Sequence, residues 1–130
     1  MNESLQVIRL LQEGRQAIQE ALPGLMEGSN RITQSVNVPG LIPHKVKELI
    51  AVGIAVGIRC QPCIVHHVKE ALDRGATADE IMEACSIAIA MGGGPSIAYT
   101  SYVVQALKDF KAWKKEEDKG GSQDAVRSEE

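Results

Sequence analysis

At 130 residues, 44% of them hydrophobic, and with a net charge of −3, the chain has the size and composition of one globular domain. That balance excludes a collagen-like or disordered class and supplies no basic field to attract nucleic acid. Aromatic residues make up only 3% of the chain, so the core must be built from Ala, Ile, Val, Leu and Met, which suits close-packed helices better than strands.

The apolar residues Val7, Ile8, Leu11, Ile18 and Leu22 recur at three- and four-residue steps and predict an amphipathic helix over residues 4–20. Pro23-Gly24 stops it. A second helix is predicted over 25–36 with Leu25, Met26, Ile32 and Val36 inward, interrupted in character by Gly28-Ser29-Asn30. A turn follows at residues 37–40, and Pro43 stands where a first-turn proline belongs, opening a third helix over 43–57. The second half of that helix is apolar on every face, which predicts burial on every face. Gly53 and Gly57 lie one turn apart and predict close approach of another backbone. Gln61 reads as the N-cap of a fourth helix, with Pro62 and Cys63 in its first turn and Gly75 as its C-cap. Thr77-Ala78-Asp79-Glu80 is a capping box that starts a fifth helix, and Gly92-Gly93-Gly94-Pro95 ends it. A sixth runs from Pro95 to about Glu116. The expected architecture is an all-α bundle of about six helices over residues 1–117, with a charged, unfolded tail over 118–130.

No secretory signal is expected, because Glu3 and Gln6 occupy the place of a basic region and apolar run. The longest apolar run, residues 49–58, falls short of the roughly 20 residues that cross a bilayer. The expectation is therefore a cytoplasmic protein that binds neither membrane nor nucleic acid.

Three cysteines leave no even disulfide framework, and a Cys-x-x-Cys pair in an unsecreted chain reads as redox or metal chemistry. Cys63 lies in the first turn of its helix, where unpaired N–H groups and the macrodipole favour a thiolate. Cys60 lies one turn before it, close enough to close a disulfide. His67 is four residues beyond Cys63 on the same face, placed to accept or relay a proton. A zinc site using Cys60, Cys63 and His67 ranks below the redox reading, since no second ligand pair comes from a distant segment. His66 points about 100° away from His67 around the helix and reads as a surface or interface residue. His44 reads as exposed, and Cys85, among Ala84, Ala88 and Ile89, as core filler. At ~1.5 Å per residue, Glu48 and His67 are offset axially by about 6 Å in an antiparallel hairpin. Spacing thus predicts a bridging water or an approach from another face, and leaves Glu48 a possible base.

The frame Pro43-x4-Glu48, then Cys60-x2-Cys63-x3-His67, then Gly75-Ala76-Thr77-x2-Glu80-Ile81 resembles the AhpD-like alkylhydroperoxidases of the carboxymuconolactone decarboxylase superfamily. The resemblance covers roughly residues 41–107. It implies an all-helical fold assembling into homo-oligomers, trimers or hexamers. It also implies a cofactor-free thiol peroxidase in which Cys63 attacks a hydroperoxide, Cys60 resolves the sulfenic acid, Glu48 and His67 relay protons, and a dithiol or protein thiol restores the pair. Pro62 departs from the family pattern, which places a second histidine there. A proline before the second cysteine also occurs in thioredoxin-like motifs, which keeps disulfide exchange with a protein open. The alternatives are a lactone-decarboxylase-like lyase using His66 or His67 as acid/base, and a non-enzymatic assembly whose cysteines sense redox state.

Overall fold

A computed structural model describes residues 1–113 of the chain. It contains six α-helices: α1 (Glu3–Ala21), α2 (Pro23–Asn37), α3 (His44–Gly57), α4 (Gln61–Asp73), α5 (Ala78–Gly92) and α6 (Gly94–Asp109). The all-α expectation holds, and no strand occurs among the described residues. The tail expected over 118–130 lies outside them, as does the end expected for the sixth helix.

The core is shared by α3, α4, α5 and α6 around Val52, Val56, Ile64, Val68, Ile81, Val103 and Leu107, all fully buried. Fully burying side chains of this kind stabilises by about 1.5–3 kcal/mol each, so the apolar stabilisation of the fold is concentrated in this four-helix unit. α3 packs chiefly on α4 and α5, while α2 packs on α1 alone to any extent. Gly53 performs as its sequence position predicts, since a Cβ there would lie 3.5 Å from the Ala84 carbonyl oxygen of α5. Gly57 does not, because nothing approaches within 4 Å of it.

Helix ends account for several boundaries. Thr77 and Glu80 close a reciprocal box, Glu80 N–H donating to Thr77 Oγ1 at 3.1 Å and Thr77 N–H to Glu80 Oε1 at 2.9 Å. The same carboxylate accepts from Lys45 Nζ at 3.1 Å, tying the start of α5 to the start of α3. At the end of α6, Lys111 turns left-handed (φ 61°), and the Ala112 N–H reaches back to the Leu107 carbonyl at 2.8 Å. The last carbonyls are thereby satisfied, and the helix ends at Asp109 rather than near residue 116.

The α3–α4 junction uses the same motif and sets up the site. Ile58 caps α3, Arg59 adopts φ 58°, and the Cys60 N–H bonds the Ala55 carbonyl at 3.1 Å while the Arg59 N–H bonds Val56 at 3.1 Å. The left-handed region costs a residue with a Cβ about 1 kcal/mol. Arg59→Gly is therefore expected to raise the unfolding free energy by about that amount in urea melts of the oxidised protein. No gain would mean that the arginine side chain makes up the backbone cost.

Two burial expectations are corrected. α3 is not covered on every face: Val52, Ala55 and Val56 are buried, but Ile54 is 57% and Ile50 48% exposed. A helix flanked by α4 on one side and α5 on the other keeps a third side open. On that side Ile50 and Ile54 line an apolar groove of about 390 Å³ with Ile87 and Met91 of α5. Similarly, of the inward residues expected on α2 only Met26 is buried, and Leu25, Ile32 and Val36 are exposed, as are Ile18 and Leu22. Amphipathic periodicity shows that a face is apolar, but not what covers it.

Candidate active site

Cys60 is the N-cap of α4, so the helix starts one residue earlier than sequence reading placed it, with Gln61 in the first turn and Pro62 after it. The thiol side chain explains the shift. Cys60 Sγ accepts the Cys63 N–H at 3.3 Å, the bond a serine or aspartate oxygen makes at an ordinary N-cap. Helix-start stabilisation of a thiolate therefore reaches Cys60 as well as Cys63. The two cysteines are joined as a disulfide, with their Cα atoms 5.2 Å apart.

The turn is braced from outside. Glu3, in the first turn of α1, accepts from Gln61 Nε2 at 3.0 Å and from Gln105 Nε2 of α6 at 2.8 Å. Asn2 and Ser4 bond the Asp109 carbonyl and carboxylate at 3.0 and 3.1 Å. The start of α1 is thus strapped across the start of α4 and the end of α6, holding the residue that follows Cys60.

One turn further along α4, His67 Nδ1–H donates to Glu48 Oε2 at 2.8 Å. The expectation that the pair would need a bridging water or an approach from another face is thereby corrected: the contact is direct. The three-residue connection of Ile58, Arg59 and Cys60 folds α4 tightly back on α3, and the two long side chains span the axial offset between their backbones. Glu48 is buried, only 8% exposed. Burial alone would raise its pKa. The His67 hydrogen bond and the charges of His67, His44 and His66 outweigh that and hold the carboxyl below its ordinary value. An Nδ1 proton held by a carboxylate leaves Nε2 as the lone pair of the neutral ring, the arrangement of an oriented general base.

Two histidines differ from their sequence reading. His44 is mostly buried, one turn before Glu48 on the same face, with Nε2 3.5 Å from Glu48 Oε1. His66 meets the His67 ring edge-on at 4.8 Å. It shares with His67 and Glu48 a cavity of about 460 Å³ between α1, α2, α3 and α4. Burial, and then the neighbouring His67, push the His66 pKa down, which favours its neutral form. Helical angle alone had separated the two rings; the signal that would have found His66 is α1 and α2 closing over that side of α4. Neither cysteine lines the cavity, which opens on the relay rather than on the sulfurs.

Cys85 is core, as expected. It is fully buried beside Thr100, and burial pushes its thiol up to about 11. Among the described residues no group of three or more His, Cys, Asp or Glu side chains is arranged to hold a metal ion, and no helix is long and apolar enough to cross a membrane.

Residues 23–106 match the carboxymuconolactone decarboxylase family. The chain belongs to that family. An uncharacterised protein of Cupriavidus necator is 38% identical over 106 residues, covering 80% of this chain and 91% of the relative. An uncharacterised protein of the cox locus of Paracoccus denitrificans is 35% identical over 79 residues, covering 61% of this chain and 71% of the relative. Among solved structures, a carboxymuconolactone decarboxylase family protein from Legionella pneumophila superposes with a TM-score of 0.81 at 29% identity, covering 85% of this chain and 98% of that one. A Thermotoga maritima protein superposes with a TM-score of 0.75 at 25% identity, covering 89% and 98%. A role in antioxidative response has been suggested for the Thermotoga protein. The resemblance to the AhpD-like superfamily read from the sequence is thus borne out at the level of the family.

Proposed function

We propose that the protein is a thiol-dependent peroxidase, and the observation that carries this reading is the Glu48–His67 hydrogen bond one helical turn behind the Cys60–Cys63 pair. His67 takes the Cys63 proton, and the thiolate attacks the distal oxygen of a hydroperoxide ROOH. The O–O bond breaks, Cys63 becomes a sulfenic acid, and the leaving alkoxide takes the proton back from His67 as ROH. Cys60 then attacks the Cys63 sulfur, expelling water and forming the disulfide. The Cys63 N–H that reaches the Cys60 sulfur suits Cys60 to this second step, because a backbone donor there favours negative charge on that sulfur as it attacks. Its proton leaves with the expelled oxygen as water. One thiol of a dithiol reductant attacks Cys63, and Cys60 leaves as a thiolate that takes up the proton given up by the attacking thiol. The reductant's second thiol then releases Cys63, and the reductant departs as a disulfide. The test is steady-state consumption of cumene hydroperoxide with dithiothreitol as electron donor. Turnover lost in Cys63→Ser is the expected result, and oxidation of the pair without turnover under any dithiol would favour a redox sensor.

A second reading has one observation in its favour. The cavity holds Glu48, His66 and His67 but no cysteine, a set suited to proton transfer on a carbon acid or lactone. A lyase of that kind would keep its activity when both cysteines become serine.

We also propose that the chain works as a homo-oligomer, trimeric or hexameric by its resemblance. The open apolar faces of α2 (Leu25, Ile32, Val36) and of the α3–α5 groove (Ile50, Ile54, Ile87, Met91) support this. Light scattering at micromolar concentration should give a multiple of the 14.0 kDa chain across a range of salt. A monomer would contradict it.

A further inference from the structure

The cavity beside the relay is too large for hydrogen peroxide alone. At about 460 Å³ it lies in the range of sites for small organic molecules. Its walls are mixed: Ile32, Val36 and Ala51 give it an apolar side, and Glu48 with His67 forms one polar end. At its α1 side stands Arg15, whose charge reaches His66.

The charges around the cavity are not equivalent. Lys47 Nζ donates to the Val36 and Val38 carbonyls at 2.8 and 3.1 Å, finishing the end of α2. The Glu48 charge is answered by His67 and His44. Glu70 lies close enough to Lys69 for the two charges to act on each other. Neither the Arg15 nor the Glu70 side chain makes a hydrogen bond or ion pair to another described residue. Of the cavity's two cations, Arg15 and Lys47, Arg15 is the one whose donors are not taken up by backbone carbonyls. A guanidinium in that position presents a planar fork of donors matched to a carboxylate.

We infer that Arg15 determines specificity: the cavity takes organic hydroperoxides that carry a carboxylate, with the anion on Arg15 and the peroxide end at Glu48 and His67. This rests on the peroxidase reading of the same site. The apolar body of the substrate lies along Ile32, Val36 and Ala51, and the peroxide end extends past His67, out of the cavity, towards Cys63 one turn earlier on α4. Glu70, at the same cavity, opposes the anion, so its charge sets the limit of the preference.

A matched pair tests this: a short-chain hydroperoxy carboxylic acid and its methyl ester, with oxidation of the Cys60–Cys63 pair followed by stopped flow. The acid should react about tenfold faster than the ester at subsaturating concentration. Arg15→Gln should bring that ratio to about one, chiefly by lowering the acid's rate. Arg15→Lys should restore part of it, and Glu70→Gln should raise the acid's rate. A ratio unchanged in Arg15→Gln overturns the inference. A second arm needs no peroxide chemistry: hexanoate titrated into the wild-type protein should shift the His66 and His67 ring resonances saturably, with affinity at least fivefold weaker in Arg15→Gln. Should neither peroxide oxidise the pair, the peroxidase reading falls and the titration alone decides the Arg15 assignment. No saturable shift, or one indifferent to Arg15, overturns it.

Discussion

Peroxide treatment of the Cys60→Ser protein is expected to stop at a sulfenic acid on Cys63, captured by a sulfenic-acid-specific label and mapped by mass spectrometry. The Cys63→Ser protein should react slowly and take no label at Cys60. The two thiols differ in what surrounds them. Cys63 is one turn before His67, whose Nδ1 is fixed by Glu48, and in the proposed mechanism that ring is its base. Cys60 has the Cys63 N–H on its sulfur, which favours a thiolate but offers no proton acceptor. The assignment gives attack to the thiol with the base and resolution to the thiol with the cap. With one equivalent of a monothiol, the oxidised Cys60→Ser protein should hold a mixed disulfide at Cys63, formed by attack of that thiol on the sulfenic acid with loss of water, because no second thiol is there to displace it. Label on Cys60 in the Cys63→Ser protein would reverse the roles, as in thioredoxin-like exchange, and leave the redox pair intact.

Removing the relay should have the next largest effect. His67→Ala is expected to slow the first oxidation at neutral pH by about 10²–10⁴, the usual range for general acid–base catalysis. The loss should shrink as pH rises towards about 8.5, where an ordinary thiol ionises without help. A rate deficit that is flat in pH would mean that His67 positions Cys63 without taking its proton. Stability responds too, since a buried carboxylate deprived of its donor costs about 1–3 kcal/mol. Glu48 has a folded pKa below its unfolded one. Its contribution is therefore complete above the unfolded carboxyl range and is lost as pH falls through the lower folded value. Urea unfolding across an acidic pH series should show that loss in the wild type and not in Glu48→Gln. Parallel profiles for the two would contradict it.

The sequence made α3 to α6 and the cysteine pair legible because each rests on local signals. Gly75, the Thr77–Glu80 box and the Gly92–Gly94 break are chemistry of a few adjacent residues, and they placed the end of α4, both ends of α5 and the start of α6 within a residue or two. The end of α6, expected near residue 116, lies instead at Asp109. The Glu48–His67 contact was only half legible. Axial spacing locates backbones, and two long side chains across a tight junction erase an offset of about 6 Å. His44 and His66 were missed for a related reason. Their positions on α3 and α4 were known, but not that His44 folds onto Glu48 or that α1 and α2 wall in His66. The apolar stripes of α1 and α2 were visible as stripes. Their periodicity carries no information about whether the covering surface belongs to the same chain.

The most direct test of the central claim counts thiols and mass after the reduced protein meets one equivalent of cumene hydroperoxide. The chain has three cysteines. The account predicts loss of two thiols, a mass lower by two hydrogens and a Cys60–Cys63 linkage, with Cys85 remaining as one buried thiol. A full thiol count with unreacted peroxide, or added oxygen on Cys85 in place of the linkage, would contradict it.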